Sequence, residues 1–155
     1  MSFRILGLDP APFLPLAALD DAALERQGAR RYRADAKPGF PCRVSLEDAE
    51  PGEAVLLLNW EHLPLATPYR ARHAIFVREA AGRRYDAVDS VPPALAPRLL
   101  ALRAFDRDGW MLEAELTEGN ALPALIGQFF ADPRVDFLQA HYARRGCFAA
   151  RVERA

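Results

Sequence analysis

Leu99-Leu100-Ala101-Leu102-Arg103-Ala104-Phe105 is followed by Asp106-Arg107-Asp108-Gly109 and then by Trp110-Met111-Leu112-Glu113-Ala114-Glu115-Leu116-Thr117. The second apolar stretch alternates. Trp110, Leu112, Ala114 and Leu116 fall on one side, Glu113, Glu115 and Thr117 on the other. A period of two is the spacing of a strand with unlike faces. The connection is rich in Asp and closes on Gly109, which suits a hairpin and is too short for a parallel crossover. The arrangement returns near the end of the sequence, where residues 135–142 and 147–154 flank Ala143-Arg144-Arg145-Gly146.

Between the two hairpins lies the clearest helix. Leu122, Leu125, Ile126, Phe129 and Phe130 form one apolar stripe at helical spacing. Asn120 suits the N-cap, Pro123 is tolerated in the first turn, and Asp132-Pro133 ends the segment. This predicts an amphipathic helix over residues 120–131. Working outward, residues 3–8, 29–34, 54–60, 73–79 and 85–88 read as strands. Asp20 caps a short helix over 21–27, with Gly28 as its stop. Pro10, Pro12 and Pro15 predict an irregular turn, and Pro64 and Pro68 place 63–72 in a loop. The sum is an α+β fold, a single domain over 1–155. It is a mainly antiparallel sheet of about seven strands, with the longer helix packed on one face.

Composition agrees. The chain has 155 residues, 51% hydrophobic and 26% charged, with 20 Lys+Arg against 21 Asp+Glu and a net charge of −1. That excludes a disordered chain and a strongly basic nucleic-acid binder. Arg30-Arg31-Tyr32-Arg33 interleaves an aromatic with cations but stands alone, and reads as a solvated strand edge rather than a nucleic-acid platform. No apolar run reaches the ~20 residues of a membrane helix. The first residues lack the apolar core of a signal peptide, so the expected compartment is the cytoplasm. Cys42 and Cys147 lie too far apart in sequence for a disulfide framework and are expected as reduced thiols.

The candidate chemistry is carried by arginine, histidine and thiol. Lys37 is the only lysine, so nearly every cation is a planar guanidinium suited to bidentate anion contacts. Arg43 follows the rigid Pro38-Gly39-Phe40-Pro41-Cys42 loop, Arg70 and His73 flank a strand start, and His141, Arg145 and Cys147 cluster at the last hairpin. His62 ends an apolar strand after Asn59, Trp60 and Glu61. Cys and His spacings do not match the close pairs of zinc sites, so neither metal nor cofactor is expected. Glu47, Asp48, Glu50 and Glu53 read as a solvated acidic turn.

Cys147 would make a nucleophile if His141 were its base. The hairpin register decides this. With a loop at 143–146, Tyr142 pairs with Cys147 and His141 with Phe148, which turns His141 away from the thiol. That register groups Val135, Phe137, Phe148, Ala150 and Val152 on one face. A slip of one residue sets His141 across from Cys147.

Several segments resemble an uncharacterised bacterial family, domain of unknown function 1203. They are Pro38-Gly39-Phe40-Pro41-Cys42-Arg43, Pro68-Tyr69-Arg70, His73-Ala74-Ile75-Phe76-Val77-Arg78, Leu102-Arg103-Ala104-Phe105-Asp106 and Arg145-Gly146-Cys147-Phe148-Ala149-Ala150-Arg151-Val152. The resemblance implies a small stand-alone bacterial protein and assigns no activity. It marks Cys42, Arg43, Tyr69, Arg70, His73, Arg78, Arg145, Cys147 and Arg151 as family-like.

The expected function is a small ligand-binding domain with an Arg/His-lined pocket for a small anion. Its lining would come from Arg43, Arg70, His73, Arg78, His141, Arg145 and Cys147. An interaction or homodimerisation module, using an edge strand or the Phe-rich helix, is the alternative. A small enzyme using Cys147 with His141 or His73 is a further one.

Overall fold

In the computed structural model, which describes residues 1–155, nine strands form two antiparallel sheets. They are β1 (Phe3–Leu6), β2 (Arg30–Arg33), β3 (Ala54–Leu63), β4 (Ala71–Arg78), β5 (Asp86–Val88), β6 (Leu99–Phe105), β7 (Met111–Glu118), β8 (Phe137–Tyr142) and β9 (Phe148–Arg154). The larger sheet has the order β5-β1-β9-β8-β6-β7 and the smaller β2-β3-β4. The α+β class and the antiparallel pairing are those the hairpins dictate. The division into two sheets is not, because it depends on which strands with no short connection find each other.

Three helices accompany the sheets: α1 (Leu14–Ala17), α2 (Asp21–Arg26) and α3 (Leu122–Phe130). Asp20 caps α2 through a 2.7 Å bond from the Ala23 amide. The proline-rich turn holds the extra helix α1, since a proline is accepted in a first helical turn. α3 begins with its stripe, at Leu122 rather than at residue 120, and Ala121 takes the N-cap place expected of Asn120, because residues 119–121 form a tight turn instead. Its Leu122, Leu125, Ile126, Phe129 and Phe130 are buried with Leu100, Leu102, Leu138, Ala140 and Val152 of the larger sheet. That is the main core. The Phe-rich face is consumed by it and is not presented to a partner.

One irregularity sets the faces of the last hairpin. Leu138 pairs with Val152 and Ala140 with Ala150, but His141 pairs with Phe148. Ala149 is therefore an extra residue on β9, a β-bulge. Beyond it the side chains of β9 change face relative to an unbroken ladder. Val135, Ala150 and Val152 join the α3 core, whereas Phe137 packs with Phe105 and Leu63 on the other side. The grouping of Val135, Phe137, Phe148, Ala150 and Val152 on one face is therefore split: the bulge separates Phe148 from Ala150 and Val152, and Val135 precedes β8 and lies outside its ladder. A bulge leaves no mark in the alternation of small residues such as Ala149 and Ala150.

Two further differences matter. β3 runs on through Leu63 and β4 starts at Ala71, so part of the expected loop at 63–72 is strand, with a bulge between Glu61 and Leu63. On the edge strand β7, Ala114 and Leu116 stand opposite Arg103 and Ala101, and Leu116 is 56% exposed.

Candidate functional site

The Pro41-Cys42-Arg43 segment joins the two sheets. The Arg43 amide donates to Phe76 O of β4 at 3.0 Å, and the Leu8 amide, just past β1, donates to Arg43 O at 2.7 Å. Gly7 permits this approach, since a Cβ there would lie 2.0 Å from Val44 O. So held, the Arg43 side chain is 2% exposed and points at the β8–β9 hairpin. Its Nε donates to Phe148 O at 2.7 Å and Nη1 to Pro41 O at 2.6 Å, while Nη2 lies 3.1 Å from Cys147 Sγ. Two segments far apart in sequence thereby meet, and the buried thiol has a guanidinium as its polar partner.

Tyr142 completes this first cluster. Its ring carries both Arg43 and Arg98, whose guanidinium carbons are 4.9 Å and 5.2 Å from the ring centroid. Arg98 forms a two-pronged pair with Asp48, at 2.7 Å and 2.8 Å. Asp48 is buried, so the acidic stretch is not simply a solvated turn; one of its carboxylates goes inside to hold an arginine. The Tyr142 hydroxyl is buried without a hydrogen-bond partner, and burial pushes its pKa up to about 12.

A second cluster lies on the opposite face of the hairpin and gathers all three histidines of the chain. Gln139, 1% exposed, donates through Nε2 to His62 O at 2.7 Å. That orientation turns Oε1 toward His62 Nδ1 at 2.9 Å and His141 Nε2 at 3.1 Å. The other His141 nitrogen, Nδ1, faces Gly146 O at 3.0 Å. His141 thus sits between two acceptors, and a neutral imidazole has one N–H to give. An imidazolium would satisfy both. Burial, reinforced by the charge of Arg103, instead depresses His141 to about 3. Burial also lowers His62. His62 stacks on Phe148 at 5.4 Å, and His73 on β4 lies close enough to repel both protonated rings.

Arg103 is the notable cation of this cluster. It is half-buried on β6, directly opposite Gln139, and makes no ion pair and no hydrogen bond. Burial lowers its pKa with no carboxylate acting against that effect.

The remaining expected site residues disperse. Arg70 is held by Glu61 at 3.1 Å and is largely exposed. Arg78 is held by Glu53 at 2.8 Å and Glu47 at 3.3 Å, and its guanidinium draws Glu53 below the usual carboxylate range. Arg145 is exposed in the hairpin turn. His73 joins His141, but Arg43 and Cys147 lie on the other face of the sheet. The single pocket expected from Arg43, Arg70, His73, Arg78, His141, Arg145 and Cys147 therefore does not form. Pairing with equally numerous carboxylates captures Arg70 and Arg78, and strand alternation separates the rest. The Cys147–His141 pair is likewise absent. Arg78 lines an open basin of about 460 Å³ with Ser45, Glu47, Arg83, Arg84 and Tyr85.

Sequence context assigns no functional role to Arg103, Gln139 or Tyr142. A signal does exist: Arg103 interrupts an apolar strand, and Gln139 and His141 interrupt another at alternate positions, which places them on one face.

Fold and site together define a two-sheet α+β protein whose polar interior combines arginine, histidine and thiol with Asp48 and Gln139. The chain belongs to the family described as protein of unknown function (DUF1203), whose model matches residues 39–154 and so includes both clusters. No curated protein and no solved structure matches the chain. No helix is long and apolar enough to cross a membrane.

Proposed function

We propose that this chain is a bacterial cytoplasmic domain that binds a small anion, a carboxylate or phosphate, beside Arg103 and the three histidines. One observation carries the reading. Arg103 has lost part of its hydration and has received no carboxylate in exchange. A cation in that condition gains most from an anion arriving from outside. The same anion would offset the Arg103 charge that adds to the effect of burial on His141.

The basin at Arg78 is a weaker host. Arg78 already has two carboxylates, and Arg83 and Arg84 are exposed and hydrated, so an anion there gains little. Self-association along the open edge of β7 is also less favoured. Two copies would bring Glu113, Glu115 and Glu118 of each together.

Calorimetric titration of the full chain with acetate, benzoate and phosphate tests the reading. Arg103→Gln should weaken binding by at least about tenfold, the worth of a charged hydrogen bond. An Arg83→Ala, Arg84→Ala double variant should bind as the natural protein does. The reverse pattern, or no heat with any of the three anions, would overturn it.

A further inference from the structure

The cluster on the other face of the hairpin has a chemistry that anion binding does not use. Arg43 has no carboxylate within ion-pair distance, and its Nη2 meets Cys147 Sγ at 3.1 Å. The Tyr142 hydroxyl, in the same buried space and within the field of Cys147 and both arginines, has an O–H and nothing to give it to. Sulfur is a weak acceptor, whereas an oxygen bonded to that sulfur is a strong one. Cys42 is different: its sulfur accepts only from the backbone amides of Val44 and Arg78, at 3.4 Å and 3.3 Å, and no side chain donates to it.

We propose that Cys147 is a site of reversible oxidation by hydroperoxides, with Arg43 facing the departing oxygen and Tyr142 the oxygen delivered to sulfur. The step is Cys147–SH + ROOH → Cys147–SOH + ROH. The S–O bond forms as the O–O bond breaks, sulfur gives up two electrons, and the thiol proton ends on the departing RO oxygen. Arg43 stabilises negative charge on that oxygen as the bond breaks. Tyr142 then donates to the sulfenic oxygen and gains the partner it lacks. Reduction needs a small thiol, R′SH. It first gives Cys147–S–S–R′ and water, and a second R′SH then releases Cys147–SH and R′SSR′. Cys147 keeps 7% exposure next to an exposed turn, and hydrogen peroxide is little larger than water.

The test treats the folded full chain with equimolar hydrogen peroxide in the presence of dimedone, then maps adducts by mass spectrometry. The adduct is expected on Cys147 over Cys42 by at least about tenfold. Tyr142→Phe keeps the ring and removes the hydroxyl. It should lower trapped sulfenic acid about fivefold, the worth of one hydrogen bond, while a small alkylating agent labels Cys147 at the natural rate. Equal adducts on both cysteines, an adduct on Cys147 only in urea, or undiminished trapping in Tyr142→Phe would each overturn the proposal. None of these outcomes depends on whether an anion binds at Arg103.

Discussion

His141 and Cys147 leave the same hairpin in opposite directions. Tyr142 bonds to Cys147 across the ladder and His141 pairs with Phe148, so alternation sends the imidazole to the histidine cluster and the sulfur to Arg43. Phe148 serves both sides: its carbonyl accepts from Arg43 while its ring stacks on His62. The two clusters are separate in chemistry yet share one short piece of backbone.

His141 makes stability depend on pH. Its folded pKa, about 3, lies below the ordinary 6.5, so the unfolded chain binds the extra proton between those values. Stability is therefore full above pH 6.5 and falls as pH drops toward 3, by up to about 1.4 kcal/mol per pH unit. His62 is shifted the same way and adds to the slope. Urea unfolding between pH 5 and about 6.5 isolates the histidines from most carboxylates. His141→Asn, which keeps a donor toward Gly146 O, should flatten the slope by about one proton's worth. An unchanged slope would show that His141 is not titrating there.

Removing Arg103 should not harm the fold. Arg103→Gln takes away a partly buried cation without breaking any bond, so stability should hold or rise by about 1 kcal/mol. Urea melts alongside calorimetry would show the two effects separate, stability kept and anion binding lost. A loss above about 2 kcal/mol would mean that Arg103 makes a stabilising bond in solution.

The anion should prefer an apolar body. Ala114 stands opposite Arg103, and the neighbouring Leu116 on that face of β7 is 56% exposed. Benzoate should bind about fivefold or more tightly than acetate, from the extra apolar area buried. Leu116→Ser should narrow that gap, and competition calorimetry would measure it.

The Asp48–Arg98 pair should be costly to break. Asp48 has 6% side-chain exposure and its removal leaves Arg98 uncompensated. Asp48→Asn is expected to cost about 3 kcal/mol, read as a lowered urea midpoint at pH 7. An equivalent substitution at Glu61, whose partner Arg70 is largely exposed, should leave the urea midpoint nearly unchanged.

Gly7→Ala should be destabilising out of proportion to its size. The added Cβ would meet Val44 O at 2.0 Å, and backbone on that side is held by the Leu8-to-Arg43 bond. A loss of about 2–3 kcal/mol is expected, together with faster alkylation of Cys147 as Arg43 is displaced.

Much of the fold was legible because its signals are local. The Asp106–Gly109 turn, the stripe from Leu122 to Phe130 and the Asp20 cap each act within a few residues, and each appears where expected. The site was legible only in its ingredients. Arg43, Cys147, His73 and His141 all take part in polar clusters, but Arg70 and Arg78 are held by carboxylates and Arg145 is exposed. Which carboxylate an arginine meets depends on contacts across the chain, such as the 50 residues separating Asp48 from Arg98, and spacing carries no record of them.

By itself the order of residues determined a two-hairpin α+β scaffold with one amphipathic helix over its core, because periodicity and turn chemistry are settled between near neighbours. Tertiary structure alone decided that one extra residue, Ala149, carries Ala150 and Val152 to the α3 side while Phe148 stays beside His141, and that Arg103 goes unpaired while Arg43 meets Cys147. The reason is physical. A strand's two faces are a matter of parity, and a single bulge reverses it, so the partners of every buried polar group are fixed only when the sheets close on one another.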